Sequence, residues 1–148
     1  FKKIKNSVGG VKLATGEMCQ NRIVFKQFLE NKSLDFCQID SCRLASLNEI
    51  LPILLMSSKL NIPVIAHAGG VGLCEYVQHL NIINQLIITN NTTYLSEYAE
   101  SCSEHLTNPS IIKNGHYVTP MNSGYSAIIK KDSVKKFQFP NGDYWKGK

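Results

Sequence analysis

Three short apolar runs in this chain each end in one chemically active side chain: Lys12-Leu-Ala-Thr-Gly-Glu17, Gln38-Ile-Asp40 and Pro63-Val-Ile-Ala-His67. The end residues lie 23 and 27 positions apart. A strand with its returning helix takes about 25–30 residues, because a (β/α)8 barrel fits eight such units into about 250. The spacing predicts successive parallel strands that deliver Glu17, Asp40 and His67 at their carboxyl ends. In such a barrel those ends form the face that carries the active site.

The residues between the runs extend the pattern. Residues 1–8 read as the last turns of a helix stopped by Gly9-Gly10. A chain that opens on a helix end, without methionine, reads as a fragment of a longer protein. Val11–Ala14 reads as a strand and Asn21–Asn31 as a helix with Ile23, Phe25, Phe28 and Leu29 available for one face. Phe36–Ile39 is the next strand and Leu47–Leu60 the next helix. Ser46 and Glu49 stand at capping-box spacing, with Pro52 in the early turns. Val64–Ala66 is a third strand, Val71–Ile83 a third helix, Leu86–Thr89 a fourth strand and Tyr94–Leu106 a further helix. Alternating βα units imply a parallel sheet with right-handed crossovers. The expected fold class is thus α/β: the carboxy-terminal half of a (β/α)8 barrel, about four units, over residues 1–106.

From Thr107 the texture changes. Turn signals crowd together at Asn108-Pro109, Asn114-Gly115, Thr119-Pro120, Asn122-Ser-Gly124 and Pro140-Asn-Gly142. Residues 110–113 and 116–119 flank Asn114-Gly115 as a hairpin would. Residues 107–148 therefore read as an irregular tail packed on the barrel. Four units cannot close an eight-unit barrel, and bare halves leave sheet edges open to aggregation. The other half is expected upstream.

Composition narrows the class. No apolar run approaches the roughly 20 residues of a membrane span. The five cysteines are scattered without a Cys-x-x-Cys pair, which speaks for reduced thiols in an intracellular protein and against a zinc site. The net charge of +5 comes mainly from scattered lysines, which cluster near the end only at Lys130-Lys131 and Lys135-Lys136. No aromatic interleaving or nucleic-acid motif accompanies them.

Each candidate residue also has a plainer role. Glu17 could ligate a hard cation, which takes oxygen ligands, or could complement the dipole of the following helix. Asp40 and His67, at adjacent strand ends, could meet as a carboxylate–imidazole pair that fixes the ring tautomer for acid–base work. Alone, Asp40 is a helix cap and His67 a structural histidine. His67-Ala-Gly-Gly-Val-Gly72 brings backbone close to a substrate but matches neither a dinucleotide fingerprint nor a P-loop. Cys74 reads as core.

Taken together, Ala14-Thr-Gly-Glu17, Asn21-Arg-Ile-Val-Phe-Lys-Gln27, Gln38-Ile-Asp40, His67-Ala-Gly-Gly-Val-Gly-Leu-Cys-Glu75 and Val77-Gln-His-Leu80 resemble the L-fuconate dehydratases. These are acid-sugar dehydratases of the enolase superfamily, mandelate racemase subgroup, and include the animal proteins called mitochondrial enolase superfamily member. Gly124-Tyr-Ser126, Ser133-Val-Lys-Lys136 and Tyr144-Trp145 resemble the same family's tail. The resemblance implies that Glu17 is the last of three acidic Mg²⁺ ligands and also contacts substrate. It implies His67 as acid/base, Asp40 as its partner, and Glu97 as a substrate-binding carboxylate. The implied substrate is a small sugar acid, which loses an α-proton through an enediolate and then water to give a 2-keto-3-deoxy acid. A homo-oligomer is implied for the complete enzyme, in mitochondria or cytoplasm, with no nucleic-acid or membrane partner. The capping domain, the catalytic lysines and the first two metal ligands of the family are absent from this stretch. A second reading is a truncated, inactive homologue with a binding or structural role.

Overall fold

The computed structural model describes residues 1–91 and 95–146. Three parallel extended segments form its frame. β1 (Ala14–Thr15) pairs with β2 (Phe36–Cys37), and Cys37 bridges in parallel to Val64 on the third segment. The ladder runs past the strict strand limits. Phe36 N–H donates to Leu13 C=O, Gln38 N–H to Thr15 C=O, Ile65 N–H to Cys37 C=O and His67 N–H to Ile39 C=O. The predicted first strand is thus displaced toward Thr15, with Val11 left exposed.

The helices follow the predicted order. α1 (Lys2–Ser7) is tied down by Lys5, whose ammonium bonds Leu34 C=O and Asp35. α2 (Arg22–Glu30) starts at Asn21, whose side chain accepts from Ile23 and Val24 N–H. α3 (Leu47–Lys59) is capped by Ser46, which accepts from Asn48 N–H. Glu49 turns away from a capping box and holds Arg22 instead, accepting from its backbone N–H and guanidinium and so joining α2 to α3. Pro52 sits inside α3 without ending it. α4 is Leu73–Ile82.

The core lies between the strands and this helical layer. Phe25 and Leu29 of α2, Ile50, Ile53 and Leu54 of α3, and Val77 and Leu80 of α4 are buried against Cys37, Ile39, Val64, Ala66 and Ala68. Alternate strand positions thus face the helices, which is the period-two pattern of a pleated strand. Ile65 and His67 take the other parity.

Two expected elements are replaced. Residues Ile83–Ile88, where a fourth strand was predicted over Leu86–Thr89, continue α4 as a π-helical turn. Thr89 N–H and hydroxyl both return to Asn84 C=O, and Ile83 and Ile88 pack on the core beside α3. A short apolar run cannot be assigned to strand or helix by periodicity alone; here the helical continuation satisfies its backbone locally. The helix predicted over Tyr94–Leu106 is also not formed. Tyr94 lies outside the described residues, 95–102 carry no regular element, and Ser103–His105 make a single 3₁₀ turn.

Beyond it, β3 (Ile112–Lys113) and β4 (His116–Tyr117) form the predicted hairpin. Asn114 and Gly115 take φ of 52° and 75°, the signature of a type I′ turn. The tail ends in α5 (Lys131–Phe137) and a 3₁₀ turn at Asp143–Trp145. It returns to the rest of the chain through an antiparallel bridge between Leu106 and Ile129 and through Ser110, held by the buried Glu75 carboxylate.

Candidate active site

His67 stands at the end of the third strand, and the parallel register decides what it meets. Its backbone N–H donates to Ile39 C=O at 2.7 Å, which brings it level with the end of β2 and with Asp40. The imidazole Nδ1 then lies 2.7 Å from Asp40 Oδ2. The other carboxylate oxygen, Oδ1, accepts from Cys42 N–H at 2.6 Å. Asp40 is therefore fixed before it fixes the ring. An Nδ1–H donated to Asp40 leaves Nε2 as the nitrogen available for proton transfer.

Nε2 points toward Glu17. Glu17 Oε2 is 3.3 Å away, and a protonated Nε2 would donate to it. The strand before Glu17 ends at Gly16 with φ of +135°. A Cβ there would fall 2.6 Å from the Phe25 ring and 2.7 Å from Gln38 C=O. Only glycine lets β1 turn this tightly over β2 and α2. Gly69 plays a comparable steric role, since a Cβ would stand 2.7 Å from His67 Nε2.

Exposure grades the three side chains. Asp40 is 8% exposed, His67 20% and Glu17 47%. The order runs from a buried orienting carboxylate, through the imidazole, to a carboxylate open at the rim. Thus the structure brings Glu17, Asp40 and His67 into one chain of contacts.

Glu97 approaches from a different direction. Its Oε2 accepts from Ala68 N–H at 2.6 Å, on the peptide unit that follows His67. Sequence reasoning missed what holds it there. Tyr117 donates its hydroxyl to Glu97 C=O at 2.7 Å. The Cys74 thiol donates to Ala99 C=O at 3.2 Å and accepts from Ala99 N–H at 3.3 Å. No local motif marks these contacts; only the hairpin signal at Asn114-Gly115 hinted that Tyr117 is placed by a defined element.

A hard dication such as Mg²⁺ suits a carboxylate like Glu17, half open and at a strand end. Among the described residues, no group of three or more His, Cys, Asp or Glu gathers to enclose a metal. Glu17 fits as one ligand of a set, and not as a whole site. No helix among the described residues is long and apolar enough to cross a membrane.

Comparison with known proteins supplies the context of this geometry. Human mitochondrial enolase superfamily member 1 is 49% identical over 138 residues, covering 93% of this chain and 31% of the human protein. L-galactonate dehydratase of Hypocrea jecorina is 46% identical over 131 residues, covering 88% of this chain and 29% of that protein. The crystal structure of the human protein superposes with a TM-score of 0.90 at 47% identity, over 98% of this chain and 33% of that one. This chain therefore spans about a third of the length of the relatives it matches. The shared fold is half of a (β/α)8 barrel. Residues 1–133 match the family described as enolase C-terminal domain-like, and the chain belongs to that family.

Proposed function

We propose that this chain is the carboxy-terminal part of a Mg²⁺-dependent acid-sugar dehydratase whose substrate is L-fuconate or its close chemical relative L-galactonate. The observation that carries the reading is the imidazole of His67 held between Asp40 on Nδ1 and Glu17 facing Nε2, at one end of three parallel strands. The similarity to an L-galactonate dehydratase supports the substrate class. L-fuconate is L-galactonate without its 6-hydroxyl, so the two present the same stereochemistry at the reacting carbons.

The family resemblance assigns the roles, and the geometry is compatible with them. Asp40 orients the imidazole and compensates its charge when it takes up a proton. His67 Nε2 moves a proton at the substrate α-carbon or to the departing β-hydroxyl, which leaves as water. The resulting enol tautomerises to a 2-keto-3-deoxy acid. Glu97 helps bind the substrate beside the His67–Ala68 peptide. Glu17 is the residue of this chain that would hold Mg²⁺, which when bound supplies positive charge next to the substrate carboxylate as the α-proton leaves. The remaining carboxylates of the metal set and an opposing base come from the rest of the protein. The animal relatives carry "mitochondrial" in their name, and the same compartment is proposed here.

The test is formation of a 2-keto-3-deoxy acid by the complete protein supplied with Mg²⁺ and either L-fuconate or L-galactonate. Turnover of at least one is expected, with none from the 148-residue chain alone. A folded complete protein that yields no keto acid from either substrate would reject the reading in favour of a non-catalytic binding or structural role.

A further inference from the structure

Glu97 occupies a stretch that the backbone does not hold. Residues 95–102 belong to no helix and no strand. Side-chain contacts fix them: Asn81 donates to the Ser96 hydroxyl and Ser103 to Glu100, and the contacts to backbone gather on residues 97–99. The Tyr117 hydroxyl bonds Glu97 C=O, and the Cys74 thiol bonds both the C=O and the N–H of Ala99. Between them, the Tyr98 ring meets the Tyr117 ring edge-on, with centroids 5.8 Å apart. Cys74 Sγ also lies 3.8 Å from Ala68 C=O, so one sulfur spans the 68 and 99 backbones.

The consequence reaches His67. Its peptide on the amino side is fixed by N–H donation to Ile39 C=O. Its peptide on the carboxyl side carries the Ala68 N–H, which Glu97 Oε2 accepts at 2.6 Å. His67 is thereby clamped on both sides of its Cα, and one of the two clamps depends on where Glu97 stands.

We propose that Tyr117 and Cys74 are positioning residues for the acid–base site: together they dock the 97–99 backbone so that the Glu97 carboxylate pins the Ala68 amide and fixes the His67 peptide. The proposal rests on the reading of His67 as the proton-transfer group. Tyr117 suits the task chemically. Burial, with the neighbouring Cys74 thiol, pushes its phenol well above its ordinary range, so the hydroxyl remains a donor throughout the physiological window. Tyr117 engages Glu97 C=O with its hydroxyl and the Tyr98 ring with its own ring, not the imidazole itself. It comes from the hairpin, in a part of the chain that supplies no strand-end residue.

Two measurements on the complete protein test this. In Tyr117→Phe, which keeps the ring and removes the hydroxyl, the Ala68 amide should exchange with solvent about tenfold faster while the Gln38 and Ile65 amides, which donate to Thr15 and Cys37 C=O, keep their protection. The kcat for sugar-acid dehydration should fall about tenfold, the scale expected when a catalytic group is mispositioned by less than an ångström. Cys74→Ser retains a donor and acceptor and should keep Ala68 protection nearer wild type than Cys74→Ala does, which gives a second route if Tyr117→Phe fails to fold. Unchanged Ala68 exchange in Tyr117→Phe, or equal loss in Cys74→Ala and Cys74→Ser, would overturn the docking. Faster Ala68 exchange with kcat unaltered would overturn the link to His67. Faster exchange in a protein whose wild type forms no keto acid would uphold the docking and reject the proposed function instead.

Discussion

The two carboxylates nearest His67 and the one behind it are held by different physics. Glu17 and Asp40 sit where parallel strands end, and backbone ladder bonds fix their register with Gln38 and His67. Glu97 is held by side chains that reach backbone groups, and so, beside the backbone pairing around Leu106 and Ile129, is much of the tail: Tyr117 to Glu97, Glu75 to Ser110, and Trp145 Nε1 to Phe137 C=O. In the first region one substitution leaves the ladder standing. In the second each side-chain contact is a separate attachment, whose loss releases its own segment and whatever that segment holds. The strand-end region also has a buried apolar core, whereas the aromatic side chains of the tail, Phe137, Phe139, Tyr144 and Trp145, pack on one another at the surface.

The largest expected effect falls on the strand-end side. His67→Asn in the complete protein should lower dehydration by about 10²–10⁴-fold, the usual share of a general acid or base, with the fold intact. Asp40→Asn leaves the imidazole in place but removes the carboxylate charge beside Nδ1, and the loss of activity should be equal or milder. Keto-acid assays on both variants check this. A loss under about tenfold for His67→Asn would make the ring a bystander.

Stability should divide along the same line. Phe25 is fully buried, and Phe25→Ala should destabilise by about 3–5 kcal/mol. Trp145→Ala, at 37% exposure and with its Nε1 bonded to Phe137 C=O, should lose about 1 kcal/mol. Urea unfolding of the two variants measures the difference, and similar losses would erase the contrast between core and tail.

The smallest effect concerns pH. The Lys5 ammonium, then the Leu13 N–H, hold the Asp35 carboxyl below its ordinary value of 3.8. A depressed carboxyl contributes stability that is present above the unfolded value and lost as pH falls through the folded one. The stability gap between wild type and Asp35→Asn should therefore be full at neutral pH and shrink as pH falls below 3.8. A gap that stays constant through that range would remove the pair from the account.

The same contrast explains what could be read in advance. Strand ends and helix starts repeat at a fixed spacing, so Glu17, Asp40, His67, Asn21 and Ser46 announce themselves. The Asn114-Gly115 turn is equally local, because two successive positive φ angles select that dipeptide. Leu86–Ile88 gave no such signal: the run is too short to separate strand from helix, and packing beside α3 decided it. The contacts of Tyr117 and Cys74 with residues 97–99 join positions 20 and 25 apart with no periodicity, so nothing local encodes them.

The account turns on Glu17, Asp40 and His67 forming one site with a metal on Glu17, and an Mg²⁺ titration of Glu17→Gln in the complete protein tests this most directly. Glutamine keeps the size and one carbonyl oxygen but removes the charge that faces a hard dication. The Mg²⁺ needed for half-maximal dehydration should rise by at least about tenfold, and activity at saturating Mg²⁺ should stay below wild type. If Glu17 only complements the dipole of the helix after it, the substitution should lower stability by a few tenths to about 1 kcal/mol and leave the titration where it was. An unaltered Mg²⁺ titration would contradict the account.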